Sequence, residues 1–451
     1  MSMRAKILIV GMSFFGALTI ARAQSDGQKP LHLTVQEAVQ LALKHNHMVR
    51  IAGYKVEKSQ HAKDVAKSAY FPAVENDSRL FKVTDTQFIQ IAAGSLGTIN
   101  GAPNPDQSVT INQGGRTFAT SGTELVQPLT QLLTRVKPAN DAARAELNAT
   151  RANAHQTENE VALKVHELYY QVLIAQLHRS AAEARIKASQ ELESERIQQV
   201  KFGSSLEEDR IASSAQTLQA KQELLTTELA LSDLTYQLDD ALGLPLSTDL
   251  ELDPSVPGVR DTCEREECIK VALESHPEIL AAREQVRKAS AGVQLSKADY
   301  IPNVSVFARY SYQSGVPFLA RNFGSFGVHF TYELFDGGRR RAASQESSSQ
   351  LALAKENLAR VTEEVELAVQ VAYNKLHRTR EMVQVSEELL TLRSESRRVS
   401  GQELEKGEAL SSQADSAIAQ ELDAKTQLLQ SQLAYIQAHD EMKEAMGLTP
   451  E

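Results

Sequence analysis

The sequence contains two copies of one long pattern, and this duplication constrains the fold more than any other feature. Three positions of the first copy recur at an offset of 230 residues: Leu43, Tyr70 and Pro72 correspond to Leu273, Tyr300 and Pro302. Further along, the offset becomes 204 residues and pairs Gly203 with Gly407 and Leu206 with Leu410. The first copy therefore carries about 26 extra residues. Repetition on this scale predicts an architecture built by symmetry from one structural unit.

The two copies define the expected domain organisation. We predict a first structural repeat at 24–243, a connector at 244–261 and a second repeat at 262–451. Each copy is predicted to contain a short helix, a longer helix, two strands, a very long helix and a long returning helix. The fold class is therefore mainly α with a small β part.

Residues 1–23 have the pattern of a secretory signal peptide. Arg4 and Lys6 precede an apolar stretch, and a small-x-small cleavage site ends at Ala23. The apolar stretch is shorter than the about 20 residues that a membrane-spanning helix needs. We expect the mature chain to be exported after cleavage of this segment.

Charge and motif content exclude several functions. The formal net charge is −10 and becomes −13 when the signal peptide is removed. An acidic chain has no basic face with which to displace counterions from nucleic acid, so nucleic acid is not an expected partner. No nucleophile–base arrangement, pair of catalytic carboxylates or metal-binding spacing stands in a recognisable context. We expect a non-enzyme without cofactor or bound metal.

Alternating residues in the second copy indicate membrane-spanning strands. Apolar side chains alternate with polar ones over about ten residues, the length of a tilted transmembrane strand: Val304, Val306, Ala308, Tyr310 and Tyr312, then Phe326, Val328, Phe330, Tyr332 and Leu334. Four strands are predicted in all, near 73–84, 116–126, 303–313 and 325–335. Four strands cannot close a barrel, since the smallest membrane barrels have about eight. Several chains must therefore share one barrel. The alternative is a hairpin packed on a soluble core.

Two long stretches are predicted to form coiled-coil hairpins. Apolar residues recur at alternating steps of three and four from about Leu132 to Lys201 and from about Arg340 to Lys406. Each stretch ends near a glycine, Gly203 or Gly407, and a second helix then returns antiparallel to the first. The hairpin tips are expected to point away from the strands.

The two cysteines occupy matched positions at the start of a helix. Thr34 and Glu37 form a capping box before the first helix of the first copy. In the second copy, Cys263 and Cys268 take the positions of the residues that flank this helix start. A local disulfide that fastens a poorly capped helix is favoured over two free thiols.

In addition to these patterns, the chain resembles the TolC-like outer-membrane efflux proteins over essentially all of its mature length. The resemblance rests on the order of several short motifs: LTVQEAVQLALKHN from Leu33, Tyr70-Phe71-Pro72 and Tyr300-Ile301-Pro302, Gln127-Pro128-Leu129, Leu334-Phe335-Asp336-Gly337-Gly338-Arg339 and Ala445-Met446-Gly447. It implies a homotrimer in which four strands per chain form a twelve-stranded outer-membrane barrel. It also implies that the helical hairpins form a tunnel across the periplasm.

The resemblance further implies partners and site residues. The channel would be a passive exit duct that works with a periplasmic adaptor protein and an inner-membrane transporter of the RND or ABC type. The adaptor would contact the hairpin tips at Gly203, Ser204, Leu206, Gly407 and Leu410. A tunnel constriction would involve Asp209, with Gln413 at the matching position and Asp415 two residues further on.

Two other functions stay open at this point. A channel of this kind could instead serve as the outer-membrane duct for type I protein secretion. Alternatively, the chain could be a periplasmic coiled-coil scaffold or adaptor with no pore.

Overall fold

The computed structural model describes residues 31–85, 88–112, 116–246, 248–253, 263–315 and 320–449. The predicted signal peptide lies outside the described residues, as does much of the predicted connector. The helices are α1 (Val35–His45), α2 (His47–Ser68), α3 (Leu129–Thr134), α4 (Val136–Lys201), α5 (Glu207–Leu242), α6 (Arg265–Ser275), α7 (Pro277–Ala298), α8 (Arg339–Glu405) and α9 (Ser411–Ala445).

The strands are short in comparison with the helices. They are β1 (Leu31–Leu33), β2 (Ala73–Lys82), β3 (Phe88–Ile91), β4 (Thr98–Ile99), β5 (Ala102–Pro103), β6 (Val109–Asn112), β7 (Thr117–Pro128), β8 (Leu250–Leu252), β9 (Asn303–Ser314) and β10 (Asn322–Thr331). The predicted fold class, mainly helical with a small β part, agrees with this content.

The offsets seen in the sequence recur between the elements. Helices α6 and α7 begin 230 residues after α1 and α2, and α9 begins 204 residues after α5. The extra residues of the first copy lie between β2 and β7, where β3 pairs with β6 and β4 with β5. The short strands in this stretch are a finding of the structure.

The main sheet is antiparallel and has the strand order β10-β9-β7-β2. The two strands of each repeat are neighbours, and β7 of the first repeat pairs with β9 of the second. Strand β10 lies a few residues earlier than the predicted 325–335. Its ladder ends where Thr331 pairs with Asn303, because the next residue on the partner strand is Pro302, which has no N–H to donate.

The long helices form one layer in the order α5-α4-α9-α8. Helix α4 has 66 residues, which corresponds to about 100 Å. Each hairpin pairs its long helix with its returning helix, and α4 also packs against α9 of the other hairpin. Among the described helices, none has a stretch long and apolar enough to cross a membrane.

Two apolar cores fix the short helices to the middle of the long ones. The first core joins α1, α4, α5 and α9 around Tyr169 and Tyr170, each 1% exposed. The Tyr169 hydroxyl donates to the carbonyl oxygens of Leu33 and Asp253, at 2.9 and 3.0 Å. The second core joins α6, α7, α8 and α9. The short helices are therefore tied to the hairpins and not to the sheet alone.

The starts of the equivalent helices α1 and α6 are stabilised in different ways. In α1, Thr34 and Glu37 form the predicted capping box, in which the Thr34 N–H donates to Glu37 Oε2 at 2.9 Å. In α6, the N-cap Glu264 makes no side-chain hydrogen bond. Here the structure joins Cys263 and Cys268 in a disulfide with a Cα–Cα distance of 5.6 Å. The covalent link replaces the missing cap.

Close approach of two backbones requires a glycine where α9 ends. Gly447 has φ of +77°, and a Cβ at this position would lie 2.6 Å from His276 Cα. Gly243 is the matching residue in the first repeat, where a Cβ would lie 3.0 Å from the His45 carbonyl oxygen. Both positions exclude larger residues by sterics and by backbone conformation. The returning helices therefore end directly against the joints α1–α2 and α6–α7.

Candidate functional site

The two hairpin tips have the same backbone geometry. Gly203 and Gly407 adopt left-handed conformations, with φ of +70° and +76°. The N–H groups of Ser204 and Glu408 then donate to carbonyl oxygens five residues earlier, at 2.9 and 2.8 Å. These bonds satisfy the carbonyl groups at the end of each long helix. At both tips three residues separate the glycine from the returning helix.

The tips expose apolar side chains. Leu206 is 70% exposed and Leu410 is 49% exposed, and each is the residue that precedes the returning helix. Phe202 is 84% exposed beside Gly203. The structure therefore places all five tip residues predicted from the resemblance on two equivalent, accessible turns. The sequence analysis did not identify Phe202 as a tip residue, although this aromatic residue directly precedes the turn glycine.

Asp209 and Gln413 have a local role that the sequence analysis missed. Each occupies the third position of its returning helix, and its side chain accepts a hydrogen bond from the N–H of Leu206 or Leu410, at 3.1 and 3.2 Å. Asp209 also accepts from the Ser205 hydroxyl at 2.6 Å. These are N-terminal capping contacts. In the sequence, the signal is an acceptor side chain three residues after the residue that precedes the helix.

Capping also favours the charged form of the Asp209 carboxyl. The hydrogen bond from Ser205 and then that from the Leu206 N–H lower the pKa of this exposed carboxyl below its usual value. Asp415 lies further along α9 and is partly buried, so it is not the counterpart of Asp209. Whether these side chains narrow a tunnel stays a prediction.

The seam between the two hairpins is closed by polar contacts. The Arg185 guanidinium on α4 binds Glu223 on α5 and Asp423 on α9, with shortest distances of 2.6 and 2.8 Å. Nearer the tip, Glu195 Oε1 accepts a hydrogen bond from the Ser412 N–H at the start of α9, at 2.9 Å. Within one chain, polar contacts therefore join α4 to α9 both at Arg185 and nearer the tip.

The opposite edges of the helical layer, formed by α5 and α8, expose the same kind of surface, and no other described element of the chain covers it. Leu433 on α9 is fully buried against α4, but its repeat equivalent on α5, Leu229, is 64% exposed. Similarly, Ala181 on α4 is 8% exposed and its equivalent on α8, Val385, is 66% exposed. Each edge carries an apolar stripe at coiled-coil spacing: Ile211, Leu218, Leu225, Leu229 and Tyr236 on α5, and Leu367, Val371, Val385 and Leu392 on α8.

In the sheet and the short helices, too, one repeat makes a contact inside the chain that its equivalent in the other repeat lacks. Strand β7 pairs with β9 inside the chain, whereas β10 and β2 are the outer strands of the sheet. Helix α7 packs extensively on two long helices, α4 and α8, whereas its equivalent α2 packs extensively on only one long helix, α4, among the described elements. One junction between repeats is thus made inside the chain at three levels. The surfaces equivalent to the two sides of this junction are exposed at opposite edges of the chain.

The two faces of the sheet differ in chemistry. One face carries Val306, Phe326, Val328 and Phe330, of which Phe326 is 90% exposed. The other face carries charged side chains from three strands: Glu75, Asp77, Arg79, Glu124 and Arg309. The alternation predicted for β9 and β10 is therefore present, whereas on β2 and β7 the same face continues with polar side chains such as Asn76, Ser78 and Thr123.

Comparison with known proteins supports the resemblance inferred from the sequence. Residues 268–448 match the family model described as outer membrane efflux protein. The resemblance to this family is therefore confirmed over the second repeat. No curated protein sequence matches the chain.

Solved structures extend the similarity to nearly the whole chain. The outer membrane channel CmeC of Campylobacter jejuni superposes with a TM-score of 0.75 at 13% identity, covering 92% of this chain and 85% of that chain. VceC of Vibrio cholerae gives 0.72 at 14% identity, covering 92% and 97%. The MtrE channel of Neisseria gonorrhoeae gives 0.70 at 16%, covering 92% and 89%. These values confirm the predicted fold class.

Proposed function

We propose that the protein is the outer-membrane channel of a tripartite efflux system, a passive exit duct formed by three copies of the chain. The observation that carries the proposal is that the surfaces equivalent to the junction between the two repeats are exposed at opposite edges of the chain. A head-to-tail interface of this kind generates a ring when its rotation closes. Four strands per chain and the fold of the related channels support three copies and a twelve-stranded barrel.

The ring would form by repeating contacts that the chain already makes once. Strand β10 of one copy would pair with β2 of the next, α8 would pack against the next α5, and α2 would fill its exposed side against the neighbour's α8. The apolar face of β9 and β10 would then meet the lipid of the outer membrane. The helices would extend into the periplasm as a tunnel.

Transport energy would come from partners. The exposed tip residues Leu206 and Leu410, together with Gly203, Ser204 and Gly407, form equivalent surfaces on both hairpins for a periplasmic adaptor. That adaptor would connect the channel to an inner-membrane transporter of the RND or ABC type. We also propose that the mature chain begins after a cleaved signal peptide.

Single-channel recording tests the channel function. We expect purified protein in planar lipid bilayers to give discrete, reproducible conductance steps. A folded, oligomeric protein that inserts into the bilayer but gives no steps would contradict the proposal. Such a result would favour a scaffold without a pore.

A substitution at the tip tests the proposed constriction. In Asp209→Gln the side chain becomes the one that the second hairpin already uses as a cap, so the fold is retained while three charges leave the ring. We expect the cation-to-anion permeability ratio to fall about twofold or more at low ionic strength, because a carboxylate ring concentrates cations. Glu208→Gln removes the same charge one position earlier and is the control. Equal ratios for wild type and Asp209→Gln would remove Asp209 from the constriction.

A further inference from the structure

The charged face of the sheet contains a groove of about 440 Å³. It lies across β2, β7, β9 and β10. Hydroxyl, amide and guanidinium groups dominate its lining: Arg79, Thr120, Arg309, Ser311, Gln313 and Ser325. A groove of this size holds a small organic molecule.

The Arg309 guanidinium packs against the backbone of Gly122. A Cβ at position 122 would lie 3.1 Å from Arg309 Nη2 and 3.2 Å from Nε. Gly122 does not have positive φ, so the glycine is needed here for space and not for backbone conformation. The absence of a side chain lets the guanidinium lie flat against the sheet.

The two arginines of the groove differ in their partners. Arg79 is neutralised by Asp77, through contacts of 2.7 Å from Nη2 and 3.2 Å from Nε. Arg309 forms no hydrogen bond or ion pair with any residue that the structure describes. Glu124 is its register partner across the β7–β9 ladder, but the guanidinium lies over Gly122 instead. Its planar set of donors is therefore available to a ligand.

We propose that this groove is a binding subsite for small anionic molecules, which carry a carboxylate, phosphate or sulfonate group that Arg309 binds. The Thr120 and Ser311 hydroxyls and the Arg79–Asp77 pair would contact the polar remainder of the molecule. The inference rests on the proposed function, because the charged face is the inner wall only if the apolar face meets lipid. Three copies would then place three such subsites around the exit.

Citrate is a suitable probe. We expect citrate at neutral pH and constant ionic strength to reduce single-channel current in a saturable manner. In Arg309→Gln, the half-blocking concentration should rise about tenfold or more, since bidentate charge-assisted hydrogen bonds are lost. Lys82→Gln is the matched control. It removes one positive charge from the same sheet, at a position of β2 whose register places it on the opposite face.

The outcomes separate the subsite from the channel. Block that weakens in Arg309→Gln and is unchanged in Lys82→Gln supports the subsite. Normal conductance steps with no citrate block, or with equal block in wild type and Arg309→Gln, overturn the subsite and leave the channel intact. Absence of conductance steps from every folded variant overturns both.

Discussion

Leu229→Asp is expected to yield a folded chain that neither assembles into a ring nor conducts. Leu229 belongs to the apolar stripe on α5 and is 64% exposed in the single chain. Its repeat equivalent, Leu433, is fully buried against α4. In the closed ring, a carboxylate at position 229 would be buried against α8 of the neighbouring copy without a partner. An uncompensated buried charge costs about 3 kcal/mol or more, and each of the three interfaces would bear this cost.

The neighbouring residue provides a matched control. Ala230 is also exposed on α5, but it lies off the stripe. Ala230→Asp therefore introduces the same charge into the same helix and should still assemble and conduct. Size-exclusion chromatography, circular dichroism and bilayer recording distinguish assembly from folding. A ring of normal mass and conductance in Leu229→Asp would show that α5 does not form the interface.

His166→Leu is expected to produce the second large effect, a loss of folding stability inside each chain. His166 on α4 and Asp440 on α9 are joined by a contact of 2.5 Å between Nδ1 and Oδ2, and their side chains are 1% and 4% exposed. The leucine would leave the Asp440 carboxylate buried without its main partner. Removing one partner of a buried pair costs about 3–5 kcal/mol. The apparent midpoint of thermal unfolding, followed by circular dichroism in detergent, should fall accordingly.

A double variant tests the physical reason for this loss. His166→Leu/Asp440→Leu removes both polar groups and should recover much of the stability, because well-packed apolar residues commonly replace a buried ion pair at little cost. If His166→Leu alone changes the midpoint as little as the double variant does, the pair does not stabilise the seam between α4 and α9.

The same pair sets an expected pH dependence. Burial would raise the pKa of the Asp440 carboxyl, but hydrogen bonds from His166 and His439 outweigh it and lower the pKa below its usual value. A carboxyl with a lowered pKa stabilises the fold above its unfolded pKa, and this contribution is lost as the pH falls through the folded pKa. Wild type should therefore lose this contribution only below about pH 4. In His166→Leu the main donor is gone and burial raises the pKa of the Asp440 carboxyl, so this acid loss should be absent and protonation of the buried carboxylate should instead relieve part of the destabilisation.

The sequence was sufficient to predict the elements that depend on local patterns. The duplication, the alternation in β9 and β10, the heptad spacing of α4 and α8 and the turns at Gly203 and Gly407 all involve residues close in the chain. The capping box of Thr34 and the proximity of Cys263 to Cys268 belong to the same category. Short-range geometry determines each of them, so one sequence contains the required information.

Contacts between the repeats could not be predicted in the same way. Heptad spacing shows that a helix packs against another but not which one, and α4 and α8 have similar spacing. The pair His166–Asp440 joins residues 274 positions apart, and no motif connects them. The capping role of Asp209 was missed for a different reason. The family resemblance directed attention to its charge and not to its position in the first turn of α5.

The mass of the purified complex tests most directly whether three chains together form one closed ring. We expect multi-angle light scattering in detergent, corrected for bound detergent, to give three times the mass of the mature chain. A monodisperse single chain with full helical content would contradict the ring, because its exposed α5 and α8 stripes and outer strands would then need no partner copy.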